Sequence, residues 1–292
     1  MDRGGEAGRV EGMGAGERSE SKVPRGSERN AVDGAMERVL RRLDAHDLDG
    51  ARREVDRMAE KHGTSPEVLY VRGLLRLEEE DEERAVELLT QAFRQDPTLV
   101  DAGLTALDLL DDEDPAKVAD LGDRLREAEL TAEERADVVY RTAVAREALH
   151  EDDAARELFV EVWELDRRRR RRRGVPHVSV QKFGRMVKDA IAQLPDPIRL
   201  RIEHVPIIVQ DRPDREVVEQ GFDPRSLGMF DGVPYADQGL PTLTRILVFQ
   251  RNVEDCVENE TELEDEVYVT LLHETGHFFG LSEEDLALRG LA

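Results

Sequence analysis

His273-Glu274-Thr275-Gly276-His277 sets two imidazoles four residues apart, with a carboxylate beside the first. On a helix, residues i and i+4 stand on one face, so His273 and His277 can donate to a single Zn²⁺. Glu274 can reach a water on that metal and accept its proton as a general base. Two histidines do not complete a catalytic zinc site, which takes three protein ligands and keeps one position open. Fifteen residues follow His277, and the third ligand is expected just after Gly280. That glycine is suited to end the helix in a left-handed turn, after which the chain can reverse toward the metal. The candidates are Glu283, Glu284 and Asp285, with Glu283 first and Glu284 second. Their competing role is first-turn charge at a helix N-terminus. Ser282 is expected to cap that short helix, with Asp285 completing the capping pattern.

Positioning these groups requires a scaffold. The pattern predicts the motif helix over about residues 263–279, after an acidic lead-in at 258–266. A helix over 180–194 would bury Phe183, Met186, Val187, Ala190, Ile191 and Leu194 on one face. The apolar runs 205–210 and 244–250 read as strands, the second able to pair with an extended substrate at a sheet edge. Residues 225–239, rich in Gly, Asp and Pro, read as loops and turns. Tyr235 is a candidate donor to an oxyanion, although a loop tyrosine more often packs. His177 and His204 are expected to be structural or solvated, and Phe278 and Phe279 to form core and cleft wall.

Residues 273–286 resemble the HExxHxxGxxE segment of the bacterial minimal zincin-like metallopeptidases, the minigluzincins. Leu227-Gly228-Met229-Phe230-Asp231-Gly232 is similar to that family's Gly-rich turn, and residues 246–249 to its strand before the zinc helix. The likeness covers about residues 177–292. It implies a small α+β zincin-like domain, Zn²⁺ as cofactor and peptide hydrolysis. It also implies His273, His277 and Glu283 as ligands, with Glu274 as the catalytic base. The family often carries aspartate where Glu283 stands.

Upstream, residues 36–166 follow a helical pattern throughout. Residues 65–97 resemble a tetratricopeptide repeat: Gly73, Ala85 and Ala92 are small residues where helices would meet, and Pro97 would end the unit. Ala51, Ala85 and Ala119 recur at a spacing of 34, and Ala155 follows a little later. A generic helical array is the plainer alternative. Either offers a surface for a protein or peptide partner.

Composition narrows the classes. Of 292 residues, 66 are acidic and 42 basic, a net charge of -24, which argues against nucleic acid and favours basic peptides. A single cysteine, Cys256, excludes an intramolecular disulfide and a Cys-based zinc site. The polar N-terminus lacks an apolar signal core, and no run nears the roughly 18 apolar residues of a membrane span. A cytoplasmic protein is expected. Residues 167–173 are consecutive arginines, read as a helix end and linker; a docking patch or protease-sensitive hinge is the alternative.

The expected organisation is a disordered tail (1–34), a TPR-like helical repeat domain (35–166), an Arg-rich linker (167–176) and a zincin-like domain (177–292). The expected function is zinc-dependent peptide hydrolysis, with substrate or regulator recruited by the repeats. The alternative is an interaction module whose zinc domain is structural or idle.

Overall fold

A computed structural model describes residues 25–110, 114–171, 174–234 and 244–290. Most of the expected tail and Tyr235 lie outside the described residues. Those described are mainly helical, with one small sheet toward the C-terminus. Among them no helix is long and apolar enough to cross a membrane.

Eight helices come first: α1 (Arg25–Asp44), α2 (Leu48–His62), α3 (Pro66–Glu78), α4 (Glu82–Gln95), α5 (Val100–Leu109), α6 (Pro115–Leu125), α7 (Ala132–Ala148) and α8 (Asp152–Arg168). The first begins at Arg25, inside the segment expected to be a tail. Its Val32, Ala35 and Val39 are buried in one cluster with Ala51, Val55 and Val68, so apolar burial offsets the ordering cost there. Three of the hairpins turn in the same way. His46, Glu80 and His150 each take a positive φ, 53°, 61° and 60°. In each, the following N–H reaches back five residues, as in Asp47 N to Arg42 O, Asp81 N to Arg76 O and Glu151 N to Arg146 O. This is one C-capping arrangement used three times, with non-glycine residues held in the left-handed region. The first two turns lie 34 residues apart and the third lies 70 further on. Gly73 admits α4 closely: a Cβ there would sit 2.6 Å from Leu89 Cγ.

The chain divides into two compact units, one up to Ala92 and one from Phe93, so α5–α8 share a unit with the sheet. The rest of that second unit comprises α9 (Val180–Gln193), α10 (Asp196–Ile202), β1 (Ile207–Gln210), α11 (Arg215–Val218), β2 (Gly228–Asp231), β3 (Arg245–Phe249), α12 (Gln250–Asp255), α13 (Glu260–Phe278) and α14 (Glu283–Ala287). The sheet order is β1-β3-β2, with β1 parallel and β2 antiparallel to β3. Phe183, Met186, Val187 and Ala190 of α9 pack with Ile246 and Val248 of β3 and with Leu263, Val267 and Leu271 of α13.

Three expectations need correction. The strand over 244–250 is the central one, paired on both sides, so it has no free edge for a substrate. Residues 225–239 are not all loop, and the stretch 227–232 likened to a Gly-rich turn is mostly strand, because β2 lies within them; its length of four residues and its glycine hid it from a periodicity argument. The acidic lead-in belongs to the motif helix itself. Asn259 caps α13 by accepting from the N–H groups of Thr261 and Glu262, both at 3.1 Å, and Glu260 and Glu262 sit in the first turn, where the helix dipole favours them.

Arg169 and Arg171, among the described residues of the arginine run, are anchored within the unit. Arg167 and Arg168 finish α8. Arg169 pairs with Glu133 and, at 3.5 Å, with Asp137. Arg171 reaches the fully buried Glu254 at 3.1 Å, which also accepts from Val178 N at 3.0 Å.

Candidate metal centre

The core stripe of α13 decides the geometry. Leu263, Val267, Leu271, Glu274 and Phe278 are buried at helical spacing, so Glu274 occupies a position that the pattern otherwise fills with apolar residues. The imidazoles of His273 and His277 stand on the adjoining, half-exposed face. Their Nε2 atoms lie 3.0 Å apart.

The chain then reverses. Gly280 has φ +85°. Leu281 N bonds back to Gly276 O at 3.0 Å and Gly280 N to His277 O at 2.9 Å, closing the helix in a Schellman turn. Ser282 and Asp285 cap α14 reciprocally, as expected from their spacing. Leu286 of α14 is fully buried, and it can lie on α13 because residue 276 is glycine: a Cβ there would stand 2.5 Å from Leu286 Cδ2. The turn, the cap and this contact together bring Glu283 over the two histidines. Its Oε1 is 3.0 Å from His277 Nε2 and its Oε2 is 3.5 Å from His273 Nε2. Of the other two carboxylates, Asp285 is committed to Ser282, accepting from its N–H at 3.2 Å and its hydroxyl at 3.0 Å. Glu284 points to solvent.

His273, His277 and Glu283 are the group of metal-type donors found among the described residues, their ligand atoms all within 4.8 Å of one another. The donor set fits zinc: two imidazole nitrogens and a carboxylate oxygen, at separations near the roughly 3.3 Å expected of tetrahedral ligands with bonds of 2.0–2.1 Å. His277 Nδ1–H donates to Leu281 O at 3.0 Å, which fixes the ring and leaves the Nε2 lone pair for the metal.

Glu274 lies under β2. Burial pushes its carboxyl up to about 7, against the pull of the His273 and His277 charges and of a hydrogen bond from Phe230 N–H, with Glu283 adding a small push upward. Gly228 covers it, and no side chain fits between: a Cβ on residue 228 would stand 2.7 Å from Glu274 Cγ and Oε1. Phe278 is buried and packs edge-on against Phe230 at 6.0 Å and Phe279 at 5.1 Å, a core role like that expected. His177 sits by Glu254, 3.4 Å from its Oε2, and His204 is exposed; neither belongs to the metal group.

The packing roles of Gly228, Gly276 and Leu286 are not read from the sequence. Gly228 lay in the stretch likened to a Gly-rich turn, and as a glycine inside an apolar run it also carried a physical signal, since such a glycine marks close backbone approach.

Residues 202–291 match the family model described as Zincin-like metallopeptidase. That match supports a zinc metallopeptidase-type domain over the stretch that holds the donor group. No curated protein matches the chain.

Proposed function

We propose that this chain is a zinc-dependent peptidase, with His273 and His277 holding the metal through Nε2, Glu283 through its carboxylate, and Glu274 as general base. The observation that carries the reading is the pairing of two unlike carboxylates at one site. Glu283 is exposed and faces the two imidazoles, while Glu274 is buried beside them with its proton affinity raised toward neutrality. Zinc, when bound, supplies Lewis acidity, polarising a carbonyl and making water acidic at neutral pH. Glu274 accepts a proton from water and returns it to the leaving amine, acting first as general base and then as general acid. Phe230 N–H orients its carboxylate. Leu281 O orients His277.

Substrate binding falls to β2 rather than β3. Among the described residues β2 is paired on one edge only, and it lies against Glu274, so an extended peptide adding to its free edge would pass the site. The helical hairpins, with their recurrent turn and 34-residue spacing, are read as TPR-like, and they recruit substrate or a regulator. The net charge of -24 favours basic peptides.

The test combines metal analysis with turnover. The purified protein is expected to carry about one zinc per chain, and His273→Ala/His277→Ala to carry none. Glu274→Gln is expected to keep the metal and lose about 10²–10⁴-fold in peptide cleavage. Zinc retained by the double variant overturns the metal assignment. A zinc-loaded wild type that cleaves nothing across a broad peptide panel would instead favour the non-catalytic interaction module.

A further inference from the structure

The loop that feeds β2 is gripped by the last helical hairpin. Tyr140 of α7 donates its hydroxyl to Asp223 Oδ2 at 2.9 Å. Asp223 Oδ1 accepts from Arg225 N at 2.7 Å. The Arg225 guanidinium forks onto Asp166 of α8, with Nε to Oδ2 at 2.8 Å and Nη2 to Oδ1 at 3.1 Å. It also meets Asp137 Oδ1 at 2.9 Å and lies over the Tyr140 ring at 4.6 Å. Asp166 is only 5% exposed. Nearby, Trp163 Nε1 donates to Pro213 O at 2.9 Å, and Val218 of α11 is buried in one cluster with Val139, Ala143, Phe159 and Val162.

The same loop is held from its other side. Asn252 Nδ2 donates to Pro224 O at 2.9 Å and Ser226 O at 2.7 Å. Arg212 fixes that amide, reaching Asn252 Oδ1 at 2.6 Å. Phe249 N then bonds Leu227 O at 2.8 Å, and β2 starts at the next residue. Two residues separate Arg225 from Gly228, whose approach to Glu274 leaves no room for a methyl group.

We propose that Arg225 is a positioning residue for the general base: by fastening the loop to α7 and α8, it sets the distance of β2 from Glu274. The inference rests on the peptidase reading for its functional meaning, and its structural content stands on the contacts above. An apolar contact would bury as much surface. A bidentate guanidinium–carboxylate pair adds direction, because its two parallel bonds tolerate little rotation or slip. Net stability is a weak account of a buried ion pair, because desolvation offsets much of its attraction. The hairpin α7–α8 would therefore support the strand that covers Glu274, beyond any recruiting role.

The experiment uses the full zinc-loaded chain, with Arg225→Met, Arg225→Lys and the milder Tyr140→Phe, which removes only the bond to Asp223. The expected result is selective. Zinc stoichiometry stays at the wild-type value, since the donors lie on α13 and α14. Exchange of the Phe230 amide rises by about tenfold or more in Arg225→Met, while the Ile208 amide, which the β1–β3 register turns toward β3, changes little. The peptide-cleavage kcat falls more than KM rises, and Arg225→Lys recovers only part of the loss because it keeps the charge without the fork. If Arg225→Met does not fold, Tyr140→Phe carries the test through the same amide. Equal exchange increases at Phe230 and Ile208 would mean a purely structural role and overturn the proposal, as would an unchanged Phe230 amide. If the wild type shows no cleavage, the exchange result still decides the positioning claim, so its failure and that of the peptidase reading are distinguishable.

Discussion

Gly228→Ala adds one carbon at the tightest point of the site. The new Cβ would lie 2.7 Å from Glu274 Cγ and Oε1 and 3.0 Å from its Cδ. Ordinary carbon contacts fall at roughly 3.5–4.0 Å, so strand and carboxylate must part by about 1 Å. Glu274 has little room to retreat, being 6% exposed among Leu271, Thr275 and Phe278 on the buried side of α13. Strand β2 is tied to β3 through the pairs Gly228↔Val248 to Asp231↔Arg245. Forcing one extra methyl into such packing costs about 1–3 kcal/mol. A reacting group displaced by about 1 Å loses on the order of 10²-fold in rate. The expected variant holds zinc normally, melts a few degrees lower and is about a hundredfold slower in peptide cleavage. Gly184→Ala is the control, since a Cβ there meets nothing within 4 Å; it lies within α9 and is expected to raise stability by about 0.5–1 kcal/mol. Wild-type turnover and melting temperature in Gly228→Ala would refute the claim that backbone approach at residue 228 positions the base.

Glu283→Ala is expected to weaken zinc binding by at least about tenfold, a conservative bound for losing one of three ligands, and Glu284→Ala to leave it unchanged; equal zinc affinities by competition with a chelating dye would remove Glu283 from the site. Gly280→Val puts a β-branched residue at φ +85° and is expected to lower zinc affinity without removing a ligand, measured in the same titration; normal affinity would show that the turn does not place Glu283. In chelator-treated protein, Glu274 is held near 7 by burial against 4.5 when unfolded, so its contribution to stability is complete below about 4.5 and is lost as pH rises through 7. Glu274→Gln lacks that loss, and its stability advantage in urea is expected to grow over this window to roughly 3 kcal/mol; an advantage that does not vary with pH would contradict the burial of a titrating carboxyl.

Local chemistry was legible from residue order. The spacing of His273 and His277 follows from the 3.6-residue turn, the left-handed Gly280 from its missing Cβ, and the Ser282–Asp285 cap from hydrogen-bonding reach along a single turn. Helix α9 and its buried face were read within a residue of their ends, because an amphipathic stripe is written in the order of residues. Strand order was not legible: β1 and β3 are parallel neighbours some 39 residues apart, and β2 enters beside β3 from the far edge. Sequence patterning therefore assigned the substrate edge to the one strand that has none to offer. Sequence also left three carboxylates open as ligands, since which one faces the histidines depends on how Leu286 packs over Gly276. The raised proton affinity of Glu274 and the grip of α7 and α8 on the loop before β2 likewise belong to the tertiary structure. Both depend on contacts between residues roughly 45 to 85 positions apart in the chain. Periodicity reports which face of an element is buried; only the folded packing decides what covers it.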